Sequence, residues 1–420
     1  MKETPVLLLT GYLGSGKTTL VNKILTNRKG IRFAVIVNDI GEVNIDERLI
    51  ARDGVVSRKD ESLVPLTNGC ICCTLKMDLV EQLGDIVSTG KFDYIVIEAS
   101  GICEPEPIAR TICSIPYMGP EYIKDGMPRL DCIVTVVDAL RMRDEFACAK
   151  DLMRGNIDEE DIENLVIQQI EFCNLVLLNK ASEVSSEDLG KIRSIVRALQ
   201  PQAEIIECDF GGVELDSILD TRLFHYDSVA ASAAWIGAVE APAAIYEESE
   251  ESEEPSLSEH HEHEHKHEDE HSGHHGHEHE HEHHHHHHDE GEAEEYGIGT
   301  YVYFARKAFD INKFDHFVAK RWPAGIIRAK GMCWFADEPD LCYIFEQAGS
   351  QISMKNAGQW YATMPQDEFA EAVLQDPSII RDWDDCYGDR CQKLVFIGQH
   401  LDRHAIREAL DFCLQDVELV

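Results

Sequence analysis

Residues 5–19, PVLLLTGYLGSGKTT, constrain this chain more than any other stretch. A strand-length apolar run, Val6 to Leu9, ends in Gly11-Tyr-Leu-Gly14-Ser15-Gly16-Lys17-Thr18, which matches the phosphate-binding pattern G-x-x-x-x-G-K-[ST]. Leu20, Val21, Ile24 and Leu25 then recur at helical spacing, and Arg28-Lys29-Gly30 reads as the helix stop. A loop between strand and helix turns backbone N–H groups and the positive helix end toward an anion. Gly11, Gly14, Ser15, Gly16 and Thr19 are expected to complete the cradle, Lys17 to reach the outer phosphates and the Thr18 hydroxyl to bind Mg²⁺. The competing reading, a chance glycine-rich turn, leaves the register of strand, loop and helix unexplained.

Around this loop, residues 1–225 alternate strand-like and helix-like segments. That pattern predicts an α/β fold, a P-loop NTPase domain with a mostly parallel sheet covered by helices. Candidate strands are 5–10, 32–37, 93–98, 132–137, 173–178 and 203–206. Residues 226–246 are alanine-rich and carry no clear pattern. Residues 247–295 are Glu, His and Ser with almost no large apolar side chain, so the stretch 226–296 is expected to be a disordered acidic, histidine-rich linker. Apolar alternation returns at Tyr301-Val-Tyr-Phe304, followed by a helix at 311–320, strands at 326–336 and 341–347, a helical run at 366–374, a strand at 394–397 and a helix at about 402–415. Residues 297–420 thus read as a smaller C-terminal α+β domain.

Composition limits the partners. The formal net charge is −40, of which 247–295, with 20 acidic residues and one lysine, supplies −19; the remaining −21 is still strongly acidic. Nucleic acid and anionic membrane are poor partners for such a chain, and cations are good ones. No 18-residue apolar run is present, and the N-terminal apolar run leads straight into the phosphate loop, so neither a membrane span nor a signal peptide is expected and the cytoplasm is the expected compartment. The 14 cysteines agree with a reducing compartment. Cys113, Cys132, Cys173, Cys333 and Cys413 stand singly in apolar runs and read as buried, inert thiols.

Five further stretches bear on chemistry. Ile95-Val-Ile-Glu98 ends a strand with a carboxylate placed to serve the Mg²⁺ shell or its water, and Gly101 after it is placed to offer its N–H to a γ-phosphate; Asp93 lies at the wrong end of that strand. Asn38-Asp39-Ile-Gly-Glu42 follows the second strand, where a nucleotide-sensing loop falls. There Asp39 as a catalytic residue and Glu42 as a metal ligand weigh equally against a solvated turn. Asn68-Gly-Cys70-Ile-Cys72-Cys73-Thr74 gathers three thiols before a helical run (Leu75, Leu79, Leu83, Ile86, Val87) with Lys76 near; the helix start and the lysine both favour thiolate, which selects soft ions such as Zn²⁺. Three ligands leave a tetrahedral site one short, which suits a metal that must leave; a redox switch and structural thiols are the alternatives. Leu177-Leu-Asn179-Lys180 resembles the N-K-x-D guanine reader, with Ser182 in the acid's place; a serine is a poorer acceptor, so guanine selectivity is weakened unless Glu183 or another acid substitutes. Residues 260–288 hold 17 of the 21 histidines, including His260, His261, His263, His265, His267, His274 and His275, alternating with Glu. They read as a reservoir of exchangeable sites for Zn²⁺, Co²⁺ or Ni²⁺, with a plain polar linker as the alternative. Cys386 and Cys391 read as free thiols in preference to a second metal pair.

Taken together, the phosphate loop, the Cys-x-Cys-Cys, the strand-ending Glu98 and Asn179-Lys180 resemble the CobW-type GTPases, a family related to the nickel-insertion GTPases of urease and hydrogenase. RAKGMCWFADEPD and KLVFIGQHLD are similar to the family's C-terminal domain. The resemblance implies a GTPase that binds GTP and Mg²⁺ and delivers a divalent transition metal, zinc foremost, to a client metalloprotein. It implies that Gly16, Lys17 and Thr18 hold nucleotide, that Cys70, Cys72 and Cys73 hold metal, and that Glu98 serves the Mg²⁺ region. Ser182 for the usual Asp and Ala99-Ser100 for the usual Thr or Ser pairs are departures. Metal storage by the histidine tract, cobalt insertion in cobalamin synthesis and a small-molecule kinase are the alternative functions, and the oligomeric state, including a homo-oligomer, is open.

Overall fold

The computed structural model describes residues 2–26, 30–37, 63–65, 76–146, 160–230, 233, 236, 296–348, 351–375 and 377–417. The first half is a seven-stranded, all-parallel sheet of β1 (Glu3–Thr10), β2 (Phe33–Val37), β3 (Leu63–Pro65), β4 (Tyr94–Glu98), β5 (Met127–Asp138), β6 (Leu175–Asn179) and β7 (Glu204–Cys208) in the order β3-β2-β4-β1-β5-β6-β7. Six strands match the expected segments. The seventh, β3, has three residues ending in a proline, too short to show any period in sequence.

Both faces of this sheet are covered, which is why its strands read as unbroken apolar runs. Val6 and Leu8 face α2 (Lys76–Thr89), α3 (Pro105–Met118), α5 (Glu160–Glu171) and α6 (Ser186–Leu199) through Leu79, Ile108, Ile167 and Ile195. Leu7 and Leu9 face α1 (Lys17–Leu25) through Leu20, Val21 and Ile24. Helix α1 closes at Thr26, whose N–H donates to Asn22 and Ile24 carbonyls and whose hydroxyl donates to the Lys23 carbonyl. The expected stop at Arg28 to Gly30 therefore falls too late, because local capping at Thr26 ends the helix first. Helix α4 (Ala139–Phe146) follows β5, and a short α7 (Tyr226–Ala230) lies in the alanine-rich stretch.

The second half is a mostly antiparallel sheet in the order β12-β11-β10-β13-β8, built from β8 (Ile298–Ala305), β10 (Ile326–Phe335), β11 (Glu338–Ala348), β12 (Gln351–Gln359) and β13 (Gln392–Gln399); β9 (Ala308–Phe309) joins β10 and β14 (Leu414–Gln415) joins β9. Helices α8 (Ile311–Lys320) and α10 (Arg403–Asp411) cover one face with Phe314, Phe317, Ile406 and Leu410, while α9 (Gln366–Gln375) corresponds to the expected helical run. Asp310 caps α8 by accepting from the Asn312 and Lys313 N–H groups at 2.9 and 3.0 Å. The unexpected β12 is an edge strand, largely exposed, whose alternation is confined to Ile352 and Met354 at its start.

The other face of this second sheet joins the core of the first: Ile298, Ala348, Val395 and Ile397 belong to the apolar cluster that includes Ile167, Ile170 and Ile192. Inside this joint Arg328 on β10 is fully buried. It donates to Glu171 Oε1 and Oε2, at the end of α5, at 2.8 and 2.9 Å and to Glu346 Oε1 on β11 at 2.6 Å. Burial opposes ionisation of Glu346, yet Arg328 and Lys330 hold its carboxyl below its ordinary value.

At the N-terminal edge of the parallel sheet, away from the phosphate loop, Arg32 grips Asp93 through its Nε and Nη2 at 2.9 and 2.6 Å. That hydrogen-bonded pair lowers the Asp93 carboxyl from 3.8 to about 2 despite partial desolvation. The stability this depressed carboxyl contributes is complete above 3.8 and lost as pH falls toward 2. In Arg32→Ala the Asp93 midpoint, followed by side-chain NMR titration, is expected to return to the ordinary carboxylate range. An unchanged midpoint would show that the pair does not set it.

Candidate functional site

The site forms at the C-terminal ends of the parallel strands. There the chain leaves β1, flanked by β4 and β5, which is where open α/β sheets hold ligands. After Thr10 the loop runs through Gly11, Gly14 and Gly16, all at positive φ (131°, 79° and 110°), into α1. Neither Gly11 nor Gly16 could be changed: a Cβ on Gly11 would collide with the Val136 backbone carbonyl and one on Gly16 with the Asn179 side-chain amide, both in conformations L residues avoid. Helix α1 has no acidic residue of its own in its first turn, so its sequence leaves the positive helix end available to an anion.

Lys17 is buried, and its ammonium donates to the Gly11 and Tyr12 carbonyls at 2.7 and 3.1 Å, arching over the loop. The Ser15 hydroxyl is buried with no hydrogen-bond partner among the described residues, an orphan polar atom that a phosphate oxygen would satisfy. Thr19 is exposed at the first turn of α1. The Thr18 hydroxyl donates to Glu98 Oε1 at 2.8 Å, and Glu98 is itself buried at the end of β4, in register with Leu9. Two hard oxygen ligands beside a phosphate cradle fit Mg²⁺, which takes oxygen donors from protein and phosphate.

The segment after β4 lies against the loop. Ala99 N–H donates to the Leu9 carbonyl at 2.9 Å, and a Cβ on Gly101 would stand 2.7 Å from Leu13, so glycine is needed for that approach. Gln169, buried on α5, donates to the Gly101 and Cys103 carbonyls at 3.3 and 3.1 Å, while its own backbone carbonyl accepts from Thr135. Two residues beyond Gln169 in the same helix, Glu171 meets Arg328.

Asn179 is buried. Its amide donates to the Ser15 carbonyl at 2.7 Å and its oxygen accepts from Gly211 N–H at 3.0 Å, so it ties the phosphate loop to the loop after β7. Lys180, at a φ of 60°, pairs with Asp138 at the end of β5. Ser182 meets Asp209, its N–H and hydroxyl both donating to Asp209 Oδ1.

Thus the structure brings together Gly11, Gly14, Ser15, Gly16, Lys17, Thr18, Thr19, Glu98, Gly101, Asn179 and Lys180. Asp39, Glu42, Cys70, Cys72, Cys73 and the whole histidine tract lie outside the described residues. Among the described residues no cluster of three or more His, Cys, Asp or Glu could hold a metal. Cys132, Cys173, Cys333 and Cys413 are buried free thiols as expected, whereas Cys113 is half-buried; Cys386 is exposed and Cys391 buried, both free. Sequence reasoning did not single out Gln169, Asp209 or Arg141, whose guanidinium lies 4.1 Å from the Tyr12 ring centroid. Asp209 alone left a signal, as an acid in Asp-Phe-Gly-Gly directly after the last parallel strand.

The family described as CobW/HypB/UreG, nucleotide-binding domain, matches residues 5–207, and the cobalamin synthesis protein cobW C-terminal domain matches residues 298–414. The zinc-regulated GTPase metalloprotein activator 1 of Dictyostelium discoideum is 32% identical, covering 100% of this chain and 82% of that protein. The zinc chaperone CobW of Pseudomonas aeruginosa is 30% identical over 54% of this chain and 65% of its own length. A zinc-bound YjiA GTPase crystal structure from E. coli aligns at 19% identity and a TM-score of 0.38, covering 99% of this chain and 100% of that one. Among the described residues no helix is long and apolar enough to cross a membrane.

Proposed function

The chain belongs to the CobW family of GTPases, and from that premise we propose that it couples GTP hydrolysis to the transfer of a divalent metal, zinc foremost, from Cys70, Cys72 and Cys73 to a client metalloprotein. The observation that supports the reading best is the contact of the phosphate loop with the segment after β4: Thr18 on Glu98, and Leu13 on Gly101. Whatever the phosphates do at Lys17 and Thr18 is felt at once in the chain that follows the thiol-bearing segment and α2.

The roles follow from the chemistry. Backbone N–H groups of the loop and the Lys17 ammonium draw the charge of the β- and γ-phosphates and stabilise it as it shifts in the transition state. Thr18 and Glu98 would hold Mg²⁺, which when bound neutralises charge on the phosphate oxygens. Gly101, close against Leu13, would register the presence or loss of the γ-phosphate through its N–H, and Asp39 and Glu42 are proposed as switch-loop residues. The metal is cargo in this scheme. One nucleotide state holds it more tightly, and linkage requires that metal then shift nucleotide affinity by the same factor. The histidine tract would concentrate metal near the thiols as a tethered arm.

The test is GTP affinity and turnover of the protein lacking residues 247–295, with and without one equivalent of Zn²⁺, with ATP as the control and Cys72→Ser alongside. Zinc is expected to change GTP affinity or turnover severalfold, to leave ATP ignored, and to lose its effect in Cys72→Ser. If zinc and nucleotide bind without influencing each other, the coupled mechanism fails and storage by the histidine tract becomes the better account.

A further inference from the structure

Guanine offers two donors, its N1–H and its exocyclic amine, along the edge that a protein reads. In Asn179-Lys180-Ala181-Ser182 the position that ordinarily presents a carboxylate to them presents a hydroxyl. A single serine oxygen gives one neutral acceptor, too little to pair both donors or to favour guanine strongly over adenine.

The tertiary structure places a carboxylate at that serine. Both the backbone N–H and the hydroxyl of Ser182 donate to Asp209 Oδ1, at 3.1 and 3.0 Å. Asp209 sits just beyond β7, at the same end of the sheet as the phosphate loop, and its position is fixed from two sides. Gly212 N–H donates to the Asp209 carbonyl at 2.9 Å, and Gly211 N–H donates to Asn179 at 3.0 Å. Between them Phe210 is held at a φ of 53° and is 73% exposed, a conformation and an exposure that bulky apolar residues seldom combine.

We propose that Asp209 is the guanine-reading carboxylate of this protein, supplied from the loop after β7 and anchored by Ser182. This rests on the guanine-nucleotide reading of the site. Asp209 Oδ1 is engaged by Ser182, and Oδ2 is the atom offered to the base. The Ser182 hydroxyl has its one hydrogen on Asp209, so toward a ligand it can only accept. The pair is therefore an all-acceptor edge. It matches the donor edge of guanine and faces the N1 acceptor of adenine with another acceptor, with which it cannot pair. The serine has become the bracket for an acid displaced by 27 residues along the chain.

The test uses the full chain and compares GTP, ATP and XTP binding in Asp209→Asn. The asparagine oxygen can still accept from Ser182, while its NH₂ replaces an acceptor by a donor. It now opposes the guanine amine and pairs with the carbonyl that xanthine carries there. GTP affinity is expected to fall by about a hundredfold and XTP to become the preferred nucleotide. Adding Ser182→Asp to Asp209→Asn puts a carboxylate back at the usual position and is expected to restore the preference for GTP. Two results overturn the proposal: an unchanged ranking of the three nucleotides in Asp209→Asn, or a loss of all three with neither gain of XTP nor rescue by Ser182→Asp, which would make the contact structural. Equal binding of GTP and ATP by the parent protein would instead remove the guanine reading itself.

Discussion

Replacing Lys17 by alanine is expected to lower GTP turnover by about a hundredfold to a thousandfold, the range seen when one preorganised charge-stabilising group is removed from an active site. The reason lies in where the ammonium is held. It is buried and bonded to the Gly11 and Tyr12 carbonyls, so its charge is aimed along the loop before any nucleotide arrives and needs little reorganisation when phosphate charge develops. Because those bonds go to backbone carbonyls of an already glycine-shaped loop, the fold is expected to survive, with metal binding at the thiols retained. The measurement is single-turnover GTP hydrolysis alongside far-UV circular dichroism and zinc affinity. Turnover within a few-fold of the parent would mean that hydrolysis takes place somewhere other than this loop.

The second large effect concerns stability. Arg328→Met is expected to cost about 3–5 kcal/mol, because it leaves Glu171 and Glu346 buried without the cation that bridges them. The loss should depend on pH in a definite direction. In the parent the Glu346 carboxyl lies below its ordinary value of 4.5, so its contribution is complete above that value and fades as pH falls through the lowered midpoint. Without Arg328 burial is opposed at Glu346 only by the lysines, Lys330 foremost, and that carboxyl takes up a proton more readily. The gap between parent and variant should therefore be widest near neutrality and narrow on acidification. Urea midpoints at pH 7 and pH 5 measure this, and Glu171→Gln added to Arg328→Met is expected to recover part of the loss. A variant with the parent's midpoint at pH 7 would show that the buried triad does not support the joint between the two sheets. The same joint bears on function: Glu171 and Gln169, which holds the Gly101 loop, share the last turn of α5, so loosening the joint also loosens the grip on that loop.

Much of this molecule was legible in the sequence because the physics involved is local. Val6 to Leu9, Ile95 to Ile97 and Leu175 to Leu178 are runs whose length and composition suit strands buried on both faces, and they are such strands. Glycines at 11, 14 and 16 followed by Lys17 and Thr18 encode a backbone path and its ligands within eight residues. The helix expected at 311–320 is likewise α8 to the residue. Where the local signal was weak, the reading fell short: β3 is three residues, β12 carries only Ile352 and Met354 as large apolar side chains, and Thr26 closes α1 before the glycine that reads as its stop.

What the chain alone determined, then, was most of the longer elements, the phosphate-binding chemistry and the acid at the end of β4, since each depends on residues a few positions apart. Only the tertiary structure decided which distant groups meet. Asn179 reads as a base contact in sequence, yet its amide is taken up by Ser15 and Gly211. Arg328 reads as strand text, yet it is the buried bridge between the two sheets. Ser182 reads as a missing acid, yet Asp209 stands beside it. Each of these pairings is made by strands and helices folding over one another, and a hydrogen bond between side chains far apart in the chain leaves no period or spacing in the sequence by which it could be read.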